Sequence, residues 1–133
     1  MLSNLFGETI YTYTRAQAID DGELIDVTEI ANEAGLKVPV AITREVWDAY
    51  VSWDESDTNT QTYQDESGRL WDVVWMLRMA SHRYKNTSTA LYELFVVPRD
   101  GRSLRPRKVQ LKAVISGGDH GEPVITVMLP NED

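Results

Sequence analysis

Apolar positions along the chain follow two different periods, and the switch between them falls near residue 88. Before it, Leu70, Val73, Val74, Leu77, Ala80 and Tyr84 recur at helical spacing. Trp71, Trp75 and Met76 widen that stripe, which predicts a helix over about 67–84, capped by Ser67 and nearly buried over more than half its circumference. After the turn Lys85-Asn86-Thr87-Ser88 the residues 91–97 form a β-rich run ended by Pro98, and Asp100-Gly101 marks a turn. Within 108–115 apolar residues alternate with polar ones, so Val109, Leu111, Ala113 and Ile115 face inward. A turn at 117–121 leads to a last strand over 123–129. Connections this short make these three strands antiparallel.

The first half of the chain carries shorter signals. Thr14 caps a short helix over 15–20 that Gly22 stops. Asp26 and Glu29 have the spacing of a capping box, opening a second helix that Gly35 ends. Lys37-Val38-Pro39-Val40 reads as extended, because the residue before a proline avoids helical torsions. Thr43 caps a third helix with Val46, Trp47, Tyr50 and Val51 on one face. Residues 54–68, the most polar stretch, read as an exposed loop holding one aromatic, Tyr63. The expected architecture is α+β: N-terminal short helices and one long buried helix packed on a C-terminal antiparallel sheet of about three strands. At 133 residues the chain is one domain, 1–133.

Composition narrows the class. Twelve aromatics supply the bulk of a core, which argues against disorder. No apolar run approaches the roughly 18 residues that a membrane helix needs, and MLSNLFGETI has neither a basic nor an apolar signal region. The expectation is a cytoplasmic protein with no membrane partner. Without cysteine there is no disulfide, thiolate nucleophile or Cys-ligated metal.

Charge changes the picture further. The net charge is −8, yet residues 1–66 carry −11 and residues 67–133 carry +3. Such a chain repels phosphate, so direct binding of duplex DNA is not expected. An anionic face suits a basic partner instead, and charge complementarity would steer the encounter. The candidate partner-binding residues are Asp20, Asp21 and Glu23 of one turn, with Asp54, Glu55, Asp57, Asp65 and Glu66 of the polar stretch. Trp53 and Tyr63 are the candidate aromatic anchors. The segment 99–108 holds five bases against one acid and reads as a solvated hairpin loop.

Catalytic signals are sparse. There is no GxSxG elbow, no phosphate-binding Gly-Lys-Ser/Thr loop and no cofactor motif. The stretch from Asp54 to Asn59 lacks the alternating ligands and glycine of a calcium loop. Asp119, His120 and Glu122 make only a weak metal set, and no metal or cofactor is expected. Asp72 reads as part of a narrow polar stripe on the long helix. One catalytic arrangement stays open, a metal-free ribonuclease drawing on His82, Arg83, Tyr84, Arg107, Lys112 and His120. Against it stands the acidic half, which repels RNA.

Several stretches carry a family resemblance. They are Leu5-Phe6-Gly7-Glu8, residues 13–22 (YTRAQAIDDG), residues 67–73 (SGRLWDV), Val97-Pro98-Arg99-Asp100-Gly101 and residues 121–133 (GEPVITVMLPNED). Together they resemble small acidic proteins of unassigned function carried by phages, conjugative plasmids and integrative elements. That resemblance brings no catalytic residue. It implies a non-enzymatic inhibitor of a bacterial host defence system, similar to anti-CRISPR and anti-restriction proteins, which would occupy a basic nucleic-acid-binding surface of a host protein or nucleoprotein complex. An accessory role in plasmid or phage maintenance is the other expectation from that setting.

Overall fold

The computed structural model describes residues 13–83 and 86–133. Helix α1 (Arg15–Asp20) is followed by strand β1 (Leu24–Asp26), helix α2 (Thr28–Glu33) and strand β2 (Val40–Thr43). Helix α3 (Arg44–Val46) runs directly into a π-helical turn, Trp47–Val51. Helices α4 (Glu55–Thr60) and α5 (Glu66–Ser81) precede strands β3 (Thr89–Val96), β4 (Arg107–Gly117) and β5 (Pro123–Met128). The α+β class holds, with the helices packed on a five-stranded mixed sheet of order β1-β2-β5-β4-β3.

The expected antiparallel trio is β3-β4-β5, paired Tyr92 to Leu111 and Ala113 to Val127. Two further strands complete the sheet and correct the expected number of about three. Strand β2 runs parallel to β5, with Ala41 opposite Thr126, and β1 pairs antiparallel to β2. All four residues of β2 are buried, because both faces of this inner strand are covered. Val40 and Ile42 join the main core, together with Val73, Val74, Leu77, Tyr92, Leu94, Leu111, Ile125 and Val127. Helices α2 and α5 and the Trp47–Val51 turn pack over this face. Thr126 alternates with Ile125 and Val127 and so projects from the opposite face, where Arg15 of α1 donates to its Oγ1 at 2.7 Å.

Local chemistry explains several boundaries. Thr14 and Gln17 form a reciprocal capping box on α1, and Thr43 caps α3 through Val46 N–H at 3.2 Å. Gly22 and Gly35 follow helix ends with φ of 80° and 103°, a region other residues rarely adopt. Three sequence readings need correction. Asp26 does not cap α2; its Oδ1 accepts from Thr28 N–H at 3.0 Å in a local turn, and the helix starts at Thr28. Residues 55–60 of the expected loop are helical, held by a capping box between Asp54 and Asp57. The long helix is capped by Asp65 rather than Ser67, since Asp65 Oδ1 accepts from Gly68 N–H at 2.7 Å. That helix ends at Ser81, and Tyr84 lies outside the described residues.

Candidate functional site

The link between α4 and α5 builds an acidic cleft of about 500 Å³. Trp53, Asp54, Glu55, Tyr63, Asp65 and Glu66 line it, so six of the ten expected binding residues meet at one place. Each wall follows from a helix start. A helix N-terminus exposes unsatisfied N–H groups, and carboxylates stabilise it by hydrogen bonding and by the macrodipole. Two helices beginning eleven residues apart therefore bring two such acidic ends to the cleft.

The carboxylates are not equivalent. Asp54 caps α4, and its pKa lies below the ordinary value because the Ser56 hydroxyl and Asp57 N–H donate to it. Arg99, from the connection between β3 and β4, donates to Asp57 Oδ2 at 2.7 Å and to Asp54 Oδ2 at 3.1 Å. One of the two charges of Asp54 and Asp57 is thus countered from the basic half. Asp65 caps α5, and Glu66 Oε2 accepts from Trp53 N–H at 3.3 Å. The Glu55 carboxylate has no hydrogen bond or ion pair among the described residues.

The two aromatics also divide. Tyr63 is 70% exposed, and its hydroxyl donates to Asp65 Oδ2 at 3.3 Å. Trp53 is only 6% exposed, so its ring packs into the wall of the cleft rather than standing out from it. Its indole N–H donates to Thr58 Oγ1 at 3.0 Å, and the Arg69 guanidinium lies 4.6 Å over its ring. The sequence reading missed Arg69. This buried arginine donates from Nε to the Val51 carbonyl and from Nη1 to the Val97 carbonyl. Desolvation lowers its pKa from the ordinary arginine value. Glycine at 68, tryptophan at 53 and an arginine inside an apolar stripe are the only sequence traces of this arrangement.

Asp20, Asp21 and Glu23 lie elsewhere. Their turn precedes β1, one outer strand, whereas Gln61 and Arg99 fasten the cleft to the chain following β3, the other outer strand. Four strand spacings separate those edges, about 19 Å. Asp21 accepts from the Tyr13 hydroxyl at 2.7 Å, and Arg44 Nε donates to the Gly22 carbonyl, placing a cation in the turn. The acidic residues therefore form two patches rather than one.

Among the described residues the ribonuclease candidates Arg107, Lys112 and His120 do not converge, and Tyr84 lies outside those residues. Arg107 opens β4 and His120 follows its far end, while Lys112 projects from the face opposite the α5 side. Lys112 Nζ donates to the Glu132 carbonyl, and His82 meets Arg78 one turn earlier in the helix. In the β4–β5 turn, Asp119 accepts from the N–H groups of Arg15 and Ala16, and Glu122 accepts from His120 N–H. Among the described residues no three or more His, Cys, Asp or Glu side chains group to hold a metal. Nor is any described helix long and apolar enough to cross a membrane. Asp72 is exposed on α5, in keeping with a polar stripe.

No curated protein and no solved structure matches the chain. A family profile does, over residues 2–133. The chain belongs to the family of unknown function DUF6573.

Proposed function

We propose that this protein is a non-enzymatic binding protein that inhibits a bacterial host defence system by docking its acidic cleft on a basic, nucleic-acid-binding surface. The observation that carries this reading is that Glu55 and the exposed Tyr63 line one cleft together with Asp65 and Glu66. An arginine or lysine entering the cleft gains carboxylate acceptors and an aromatic face together. Interface energy concentrates in such aromatic and charged anchors. The partner's basic residues would otherwise hold phosphates, so occupying them blocks nucleic acid without any chemistry. The resemblance to proteins of mobile elements supplies the defence setting, and the cleft supplies the means.

The test is expression in bacteria whose defence complex restricts an incoming phage or plasmid. The wild-type chain restores phage plating, and Glu55→Lys combined with Tyr63→Ala abolishes that protection while leaving the fold intact. Restriction that persists with the wild-type chain, or full protection by the double variant, refutes the reading.

A further inference from the structure

Strand β3 is the long outer strand of the sheet, and among the described residues no strand pairs with its outer side along eight residues. Its backbone pattern is fixed by one bond. Ile115 N–H donates to the Ser88 carbonyl at 2.8 Å, so residues 88 and 115 form a hydrogen-bonded pair. Such pairs alternate in an antiparallel ladder, which assigns residues 90, 92, 94 and 96 to β4. The N–H and carbonyl groups of Thr89, Leu91, Glu93 and Phe95 therefore point away from the sheet.

Natural edges are protected by proline, lysine, bulges or shortness. Strand β1 is three residues long and meets the last of these. Strand β3 has no proline, glycine or lysine, and its single charge, Glu93, sits 3.9 Å from Lys108 of β4. Leu91 and Phe95 are 44% and 65% exposed. A groove of about 550 Å³ follows this edge, with Met76 of α5 on its helical side.

We propose that a second copy of this chain pairs with that edge, β3 to β3 and antiparallel, to give a continuous ten-stranded sheet. The pattern is self-complementary about a two-fold axis through Tyr92. In that register Thr89 faces the partner's Phe95, and Leu91 faces the partner's Glu93. All four open positions bond among themselves, and no like charges stand directly opposite. A two-fold axis through Glu93 would use fewer positions and set Glu93 against the partner's Glu93. The edge is about 27 Å long, and sheet plus helix layer are roughly 20 Å deep, so the pair buries about 1,100 Å² in total. That clears the roughly 1,000 Å² that specific interfaces need.

Sedimentation equilibrium of the intact chain measures the state, with a dimer of twice 15.1 kDa expected. Glu93→Pro removes an outward N–H while sparing the ladder to β4, and it should weaken dimerisation about tenfold or more. Its far-UV spectrum and melting curve show whether it stays folded. Because the chain has no cysteine, Thr89→Cys with Phe95→Cys tests the register directly. Oxidation should give a covalent dimer, since hydrogen-bonded pairs hold Cα atoms about 5.5 Å apart. A monomer at every concentration, or a dimer that neither crosslinks at these positions nor responds to Glu93→Pro, overturns the proposal.

Discussion

Arg99 Nε donates to Asp57 Oδ2 at 2.7 Å, joining the segment after β3 to helix α4 across 42 residues of sequence. The same guanidinium reaches Asp54 Oδ2 and the Ser52 hydroxyl, so one basic residue ties the start of helix α4 to the chain after β3. Arg99 is partly exposed and Asp57 mostly shielded, which leaves the pair only moderately screened. Arg99→Ala should cost about 1 kcal/mol of stability, measured by urea unfolding. It should also leave the cleft more negative, so that a lysine-rich peptide binds it more tightly at low salt.

Arg69 is the more costly residue to lose. Its removal leaves the Val51 and Val97 carbonyls without their donors and the Trp53 ring without its stacked cation. Arg69→Ala should destabilise by about 3 kcal/mol, because buried acceptors then lack partners. Arg69→Lys should restore little of it, since one ammonium lacks the planar fork that serves two carbonyls. Equal unfolding midpoints for wild type and Arg69→Ala would contradict this account.

What the sequence disclosed depends on element length. Helix α5 and strands β3 to β5 repeat their period often enough to be read, so the helix and the antiparallel trio were legible. Strands β1 and β2 span three and four residues, too few for alternation, and β2 is buried on both faces. Helix α4 (ESDTNT) has no buried residue and hence no apolar stripe; its signal is the Asp54–Asp57 capping box. The acidic residues near 54–66 were legible as a group. Their division into caps, an ion pair and one uncommitted carboxylate was not, because it depends on Arg99 arriving from the other half. Likewise an arginine within an apolar stripe reads as surface, and only tertiary packing reveals its two carbonyl partners.

That division separates stability from binding. Asp65→Ala should cost about 1 kcal/mol, as the loss of an N-cap does, and lower the melting temperature. Tyr63→Ala should stay within about 0.5 kcal/mol of wild type, because its side chain does not support the core, and Glu55→Lys should cost less than about 1 kcal/mol, through the charge it reverses in the first turn of α4. Peptide or partner binding should show the reverse order, with Glu55 and Tyr63 variants the most impaired. Thermal melts and binding titrations on the same three variants check this, and parallel losses in both would deny the separation.

Carboxylates within the second half give acid stability opposite signs. Asp100 is held down at about 2 by donors from Ser103 and Arg102, and Asp119 is lowered by the N–H groups of Arg15 and Ala16. A depressed carboxylate contributes stability that is complete above its unfolded value near 3.9 and is lost as pH falls through the folded one. Asp72 runs the other way, since partial desolvation on the exposed side of α5 raises its pKa despite the nearby Arg69 charge. Its ionised form costs stability at neutral pH, and that cost disappears as pH falls through the raised value. Asp72→Asn should therefore raise the melting temperature only slightly at pH 7, because solvent screens an exposed carboxylate, and make no difference near pH 3, where both chains are neutral at this position. Asp100→Asn should lower it at pH 7, with the gap closing only toward pH 2. Melting curves of the three proteins from pH 2 to 7 check the sign of each, and a loss of stability in Asp72→Asn at pH 7 would show that its charge is needed by Arg69.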